Sequence, residues 1–439
     1  MSPMELGIVV AIVLIIVLLS GAPVAFSLGI VAVGFLIIFE GPGSLEVVAE
    51  TLFGGLNEFA LLSIPMFILM GAAIASSRAG SDLYEALERW FYRVPGGLLI
   101  SNLGACSIFA ALSGSSPATC AAIGKMGVPE MQKRGYPNGL ATGAIAAGGT
   151  LGILIPPSIT MIVYGIATET SIGRLFIAGL LPGVMLPALF MAWSLYYARR
   201  KGFRFKIGDT IYSWRQKVEI LPKIMPFLII IAMILWALYG GVATPSEAAG
   251  VGALFCILLV IVIYRMWQPK ELWEVVRVAM RESVMIMMII GTAALFSFMM
   301  SSLYITQALA EWIATLDVNP WLLLFYVNIF LLVAGLFLPP VAVILMTAPT
   351  LVPIIEQAGF DPIWFGVVLT INMEIGLITP PVGLNLYVIN GIVPDVKLPT
   401  ILWGALPFML CMVLGILLLA LFPGIATWLP DYLMGPAQY

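Results

Sequence analysis

The sequence predicts an all-α polytopic membrane protein folded from two inverted repeats, each carrying a re-entrant helical hairpin and a broken transmembrane helix. Three observations predict it. Of 439 residues, 61% are hydrophobic and 10% charged, against about 25% charged in soluble domains, and the mean hydropathy is +1.08. Many runs reach the ~17–25 apolar residues a spanning helix needs. Residues 150–158, Thr-Leu-Gly-Ile-Leu-Ile-Pro-Pro-Ser, and 374–382, Glu-Ile-Gly-Leu-Ile-Thr-Pro-Pro-Val, repeat one Gly-x-x-x-Pro-Pro break 224 positions apart. Proline has no N–H to give and lipid offers no substitute, so twin breaks in apolar sequence belong where protein or a wet cavity satisfies the backbone. They point to a binding site between two halves. Third, 17 of the 20 Lys and Arg residues fall in four clusters, 78–93, 133–134, 199–223 and 265–281.

Composition excludes several classes of function. Histidine is absent, which removes imidazole metal sites, Ser-His catalysis and histidine proton relays. Gly124-Lys125 lacks the flanking residues of a phosphate loop, so ATP hydrolysis is not expected. A net charge of −3 with basic residues confined to loops is no nucleic-acid footprint. Cys106, Cys120, Cys256 and Cys411 all lie in apolar runs and read as small hydrophobes rather than disulfides or ligands. The N-terminus, Met-Ser-Pro-Met-Glu, has no positive charge before its apolar run and reads as a retained span rather than a signal peptide.

Residues 4–20 and 22–39 form a tight hairpin of spans at Gly21-Ala22-Pro23, followed by an acidic connector with Glu40, Glu46, Glu50 and Glu58 and a third span over about 59–77, kinked at Pro65. Leu83, Leu87, Trp90 and Phe91 share one face of an amphipathic interfacial helix opposite Asp82, Glu85, Glu88 and Arg89, as helical spacing requires. The pattern recurs at Ile305, Leu309, Trp312 and Ile313, with Trp90 and Trp312 at an offset of 222. Residues 98–112 and 117–130, short for full crossings and separated by Ser113-Gly114-Ser115-Ser116-Pro117, read as a re-entrant hairpin. Its counterpart is 320–336 and 341–356 around Phe337-Leu338-Pro339-Pro340. Broken spans follow at 137–168 and 362–393, then long spans at 172–198 and 398–422, with two further spans, 224–240 and 245–266, between the halves. Thr244-Pro245-Ser246-Glu247 satisfies a capping box.

The chain thus divides into N-terminal spans (1–78), an arm helix (79–97), hairpin one (98–130), the first broken span and following helix (131–198), and a basic loop (199–223). After these come linking spans (224–282), a span and arm helix (283–318), hairpin two (319–357), the second broken span and following helix (358–422) and a tail (423–439). If hairpin one returns to its side of entry, all four basic clusters share one face, which the positive-inside rule makes cytoplasmic. Hairpin two then enters from the opposite face, and both termini lie outside the cytoplasm.

Four half-helix starts are expected to converge at mid-membrane: the serine tip before Pro117, then Pro340, Pro157 and Pro381. Proline suits a first helical position and serine an N-cap, and positive helix ends welcome a carboxylate. The substrate contacts expected there are Ser115, Ser116, Thr150, Pro157, Ser158, Pro340, Pro381 and, just past the second break, Asn385. Carbonyls at Gly152 to Ile155 and Gly376 to Thr379, with hydroxyls of Ser113, Ser116 and Thr379, make hard oxygen cages suited to Na⁺, one per repeat. Glu374 is a functional candidate by its place in a span, or pairs with a local hydroxyl or amide to hold the unwound backbone. Asn372 and Asn390 bind substrate or cap broken ends, and Lys125 snorkels or meets a carboxylate.

Gly241-Val-Ala-Thr-Pro-Ser-Glu-Ala-Ala, Ile371-Asn-Met-Glu-Ile-Gly-Leu-Ile-Thr-Pro-Pro-Val-Gly-Leu-Asn-Leu, Ile155-Pro-Pro-Ser and Val128-Pro-Glu-Met resemble the large membrane subunit of tripartite ATP-independent periplasmic (TRAP) transporters over nearly the whole chain. The resemblance implies a Na⁺-driven importer of organic acids in the bacterial inner membrane. Its partners would be a periplasmic substrate-binding protein and a small four-helix membrane subunit, here expected as a separate chain. It also implies an elevator, with hairpins and broken spans sliding against a scaffold of 1–78, 224–282 and 283–318. It places Ser113, Ser116, Gly152, Ile155 and Pro157 at one Na⁺ site and Gly335, Gly376, Thr379 and Val382 at the other. No cofactor beyond Na⁺, no transition metal and no enzymatic activity are expected. The alternatives are a one-component ion-coupled carboxylate carrier, a passive channel, and a membrane enzyme with Ser115 or Ser116 as nucleophile.

Overall fold

The structure, a computed structural model, describes residues 1–200, 212–315 and 318–436, and all regular secondary structure among them is helical. α1 (Pro3–Leu19) begins on a Ser2–Glu5 capping box and turns at Gly21 into α2 (Val24–Glu40). The acidic connector is itself mostly helical, as α3 (Leu45–Leu56). A 3₁₀ turn at Phe59–Leu62 then leads into α4 (Ser63–Ala75). The bend of 61° falls between Pro42–Leu56 and Phe59–Ala75, ahead of Pro65. That proline occupies the first turn of α4, where its missing N–H would have no helical acceptor. The kink expected at Pro65 is corrected accordingly.

The arm helix is α5 (Ala79–Phe91), with Leu83 buried and Trp90 exposed; Glu88, expected on the polar face, is also buried, because it pairs with Arg134 at the end of hairpin one, and its placement is corrected accordingly. Hairpin one is α6 (Gly97–Ser113) and α7 (Ser116–Lys133). The first broken span comprises α8 (Asn138–Thr150), a 3₁₀ turn at Leu151–Ile153, and α9 (Ile159–Ala167), followed by α10 (Ile172–Arg200). The basic loop expected at 199–223 lies largely outside the described residues; its end carries α11 (Trp214–Glu219). Next come α12 (Leu221–Tyr239) and α13 (Pro245–Val262). The Thr244 hydroxyl accepts from the Glu247 N–H at 3.3 Å while Glu247 accepts from the Thr244 N–H at 2.8 Å, as the capping box predicts.

α14 (Pro269–Ser302) is one 34-residue helix that runs through the division expected at 282/283. α15 (Ile305–Thr315) is the second arm. Hairpin two is α16 (Pro320–Phe337) and α17 (Pro340–Gln357). The second broken span is α18 (Pro362–Leu377) and α19 (Leu384–Ile392), then α20 (Leu398–Leu421). The tail carries one more helix, α21 (Gly424–Met434), held against α10 where Arg174 pairs with Asp431. Seven of the described helices, α10, α12, α13, α14, α16, α17 and α20, are long and apolar enough to span a membrane, or eight spans if the bent pair before Ala75 counts as one. This is a multi-pass membrane protein.

The two halves interlock at the breaks. α19 packs on α7 and α8, and α9 packs on α17, so the second part of each broken span reaches the other half's hairpin. The Tyr164 hydroxyl donates to the Pro362 carbonyl at 2.7 Å. Phe190 on α10 meets Phe408 on α20 edge to face at 5.5 Å.

Candidate functional site

Each hairpin tip lies directly on the break of the span that follows it. In the first half Gly114 turns the chain in the left-handed region, φ 56°, and α7 begins at Ser116 with Pro117 in its first turn. A Cβ added to Gly152 would lie 2.7 Å from the Ser115 carbonyl oxygen and 3.0 Å from the Ser116 nitrogen. One added to Gly114 would lie 3.0 Å from the Pro157 carbonyl oxygen. The second half repeats the contact: a Cβ on Gly376 would lie 2.6 Å from the Gly335 carbonyl oxygen, and the Val382 N–H donates to the Leu336 carbonyl at 3.2 Å. Glycine is needed at 152 and 376 because backbone meets backbone there.

The prolines determine which carbonyls lose their partners. Helical donors to the carbonyls of Gly152 and Ile153 would be residues 156 and 157, and to those of Gly376 and Leu377 residues 380 and 381; all four are proline. The Ile153 carbonyl instead accepts the Ser158 hydroxyl at 2.5 Å. The Gly376 carbonyl accepts a long 3.3 Å bond from the Thr379 N–H. Pro156-Pro157 and Pro380-Pro381 are both cis.

The second halves of the broken spans begin later than expected, and this corrects Pro157 and Pro381 as helix starts. α9 starts at Ile159, with Ser158 as N-cap accepting from the Met161 N–H at 3.2 Å, and α19 starts at Leu384 after left-handed Gly383. The chain needs residues beyond each proline pair to turn back into a helix. Pro157 is buried, whereas Pro381 and Val382 are exposed and Pro340, which does begin α17, is half-buried. Gly335 lies within α16, two residues before its end. Ile155 is partly exposed beside the first break.

Most of the polar side chains at the tips and breaks are engaged in protein contacts. Ser113 Oγ lies 2.7 Å from Thr119 Oγ1, and Ser115, the N-cap residue of α7, makes no side-chain cap bond. Ser116 and Asn385, both fully buried, bond each other: Asn385 Nδ2 donates to Ser116 Oγ at 2.8 Å and to the Ala146 carbonyl at 2.9 Å. Asn385 was expected to touch substrate; the structure uses it to join the start of α19 to the start of α7. Thr150 bonds back to the Ala147 carbonyl at 2.7 Å, and Thr379 to the Ile375 carbonyl at 2.5 Å.

Asn390 donates to the Val396 carbonyl at 2.8 Å, and Asn372 to the Asn328 carbonyl at 2.9 Å. Asn328 escaped the sequence reading, although an asparagine inside the apolar run 320–336 was a visible signal. Glu374 is fully buried, and neither carboxyl oxygen has a hydrogen-bond partner among the described residues. The local pairing considered for it from the sequence is therefore absent. All four cysteines are free.

The comparisons with known proteins agree with this architecture. The family described as the tripartite ATP-independent periplasmic transporter, DctM component, matches residues 11–425. The C4-dicarboxylate TRAP transporter large permease protein DctM of Pseudomonas aeruginosa is 38% identical over 407 residues, covering 93% of this chain and 94% of that one. The sialic acid TRAP transporter large permease protein SiaM of Vibrio cholerae is 30% identical, covering 96% and 97%. Among solved structures, the YdaH transporter of Alcanivorax borkumensis shares the fold, with a TM-score of 0.52 at 16% identity over 90% of this chain and 91% of that one. This chain therefore belongs to the family of DctM components, the large membrane permeases of tripartite ATP-independent periplasmic transporters.

Proposed function

We propose that this chain is the membrane carrier of a Na⁺-coupled, secondary-active importer of a small organic acid in the bacterial inner membrane. It takes substrate from a periplasmic binding protein, works beside a small four-helix membrane subunit, and moves its hairpins and breaks as an elevator. The observation that carries this reading is the twofold contact of a hairpin tip with a mid-span break, Ser115 on Gly152 and Gly335 on Gly376. A tip that touches the middle of a span is what a hairpin entering only part of the way would give, which supports re-entrant hairpins in inverted repeats.

Backbone oxygens at such breaks suit hard cations. One Na⁺ site would use Ser113, Ser116, Gly152, Ile155 and Pro157, and the other Gly335, Gly376, Thr379 and Val382. The exposed side of the tips, with Ser115, Pro340 and Pro381, would receive the acid. The named substrates of the relatives, a C4-dicarboxylate and sialic acid, support an organic acid, and their TRAP membership favours a binding-protein-dependent system over a one-component carrier.

The test is uptake in proteoliposomes holding this chain and its small subunit, with the binding protein outside. Uptake should require both an inward Na⁺ gradient and the binding protein. Equal uptake from this chain alone would support the one-component alternative, and uptake persisting without the gradient would support a channel. Ser113→Ala and Thr379→Ala should each shift the Na⁺ dependence to higher concentration; no shift in either would remove the cation assignment.

A further inference from the structure

The start of α7 presents its serines to two different surroundings. A cavity of about 710 Å³ beside α7 has Ser113 and Ser115 in its lining, with Ala122 and Lys125 farther along α7 and Gly71 and Ala72 across from them on α4. Ser116, the next residue, is fully buried and bonded to Asn385, the second residue of α19. Its backbone nitrogen is the one that a Cβ on Gly152 would meet at 3.0 Å. Ser116 therefore lies against the first break and the start of α19 together.

The bonds around Asn385 fix the direction of the Ser116 hydroxyl. The Ala146 carbonyl can only accept, so the amide atom 2.9 Å from it is the nitrogen, and the second N–H of that nitrogen goes to Ser116 Oγ at 2.8 Å. The hydroxyl in turn donates to Asn385 Oδ1 at 3.2 Å. A hydroxyl has one proton and two lone pairs. Here the amide holds the proton and one lone pair, which leaves the other lone pair directed elsewhere. That is what a cation needs of a hydroxyl ligand, because oxygen binds it through a lone pair and a proton turned towards it would repel it.

The duplication supplies a comparison within the chain. α9 packs on α17 as α19 packs on α7, yet 224 positions after Ser116 stands Pro340, and 224 before Asn385 stands Met161. Neither of those side chains can donate a hydrogen bond. One half thus makes the helix contact without an amide and hydroxyl at these positions, and the other makes it with both of them buried. Packing alone does not call for the polar pair, whose burial is costly unless every group is bonded.

Resting on the Na⁺ site proposed above for the first half, we propose that Asn385 is its positioning residue. Reaching across from the second half, it holds the Ser116 hydroxyl with its proton turned away from the ion. Met161 gives the other Na⁺ site no such partner, so the two sites depend on Asn385 unequally.

The test uses the full chain with its small subunit in nanodiscs of neutral lipid, with Na⁺ as the only ligand and choline holding the ionic strength. An ion that binds only the folded protein raises its melting temperature, and the half-saturating Na⁺ concentration is the readout. Asn385→Ala should raise that concentration about 3- to 10-fold. Asn385→Ser, too short to hold both partners, should do the same and serves if the alanine variant does not fold. Added to Ser116→Ala, Asn385→Ala should bring no further shift, because the group it positions is gone; added to Thr379→Ala, it should bring its full shift. Asn102→Ala removes another fully buried asparagine of hairpin one, bonded to the Leu98 carbonyl at 2.8 Å. It should lower the melting temperature without moving the half-saturation.

An unchanged half-saturation in the Asn385 variants would overturn the proposal. So would a shift that adds in full to that of Ser116→Ala, or an equal shift in Asn102→Ala, since either would make Asn385 a support of the fold alone. If Ser116→Ala moves the Na⁺ response and the Asn385 variants do not, this assignment fails by itself. If neither Ser116→Ala nor Thr379→Ala moves it, or the parent shows no response to Na⁺, the functional reading fails with it.

Discussion

Asn385 shows how one buried amide can join two halves of a chain. Its three bonds, two with Ser116 and one to the Ala146 carbonyl, lie where no water replaces them. Asn385→Ala should therefore lower stability by about 1–3 kcal/mol, the usual cost of stranding buried polar groups. Thermal unfolding of the purified protein reads this out, and an unchanged midpoint would mean the contact adds nothing. Glu88, at the buried face of the arm helix, pairs with Arg134 beside Glu130. Burial lifts its carboxyl above the usual glutamate value of 4.5, with Arg134 opposing. The folded state thus holds the proton more tightly than the unfolded one. The stability Glu88 contributes is complete below 4.5 and lost as pH rises through its raised value. Comparing melting against pH for the parent and Glu88→Gln checks this, since the variant should lack that part of the slope.

At the scale of elements, the contact of each tip with its break makes Gly152 and Gly376 the most sensitive backbone positions. A methyl at either would overlap a carbonyl, 2.7 Å from Ser115 or 2.6 Å from Gly335, and neither tip backbone can yield as a flexible side chain would. Gly152→Ala and Gly376→Ala should cut Na⁺-dependent uptake at least about 10-fold, the effect of misplacing a site by about an ångström, while the protein still inserts. Gly250→Ala, with nothing within 4 Å of its added methyl, is the control. The breaks were legible in the sequence because a proline pair in a long apolar run has few meanings in lipid. The partner of each break was legible only as order along the chain, since which carbonyl meets which glycine depends on packing. Ser158 and Gly383 mark the true starts of α9 and α19. Both are ordinary N-terminal residues, hidden behind prolines that looked like better starts. α3 was missed because its glutamates read as a loop, although acids on the exposed side of a short helix fit as well.

At the scale of the whole molecule, the packing separates two groups of helices. α8 packs on α7, α19 and α20, α19 on α7 and α20, and α6 on α7, whereas α2, α3 and α4 each pack on α14 and α13 packs on α4. The groups meet along α4 and α6 and at the cavity beside α7, and α17 of hairpin two also packs on α14. A boundary lined by alanine and glycine, as on α4 and α7, offers little interdigitation to resist sliding. If the first group moves against the second as a body, the tip of hairpin one should change the side from which water reaches it. A cysteine at Ser115, introduced after replacing the native Cys106, Cys120, Cys256 and Cys411, reports this through a membrane-impermeant thiol reagent added from either side. With Na⁺ and substrate cycling, labelling at Ser115→Cys should shift between faces, and Phe337→Cys at the other tip should shift in the same sense. A cysteine on α14, such as Val284→Cys, should keep one pattern throughout. Tips that label from one side under every condition would leave the twin breaks as a fixed pore lining, and the carrier would have to alternate by some smaller gate.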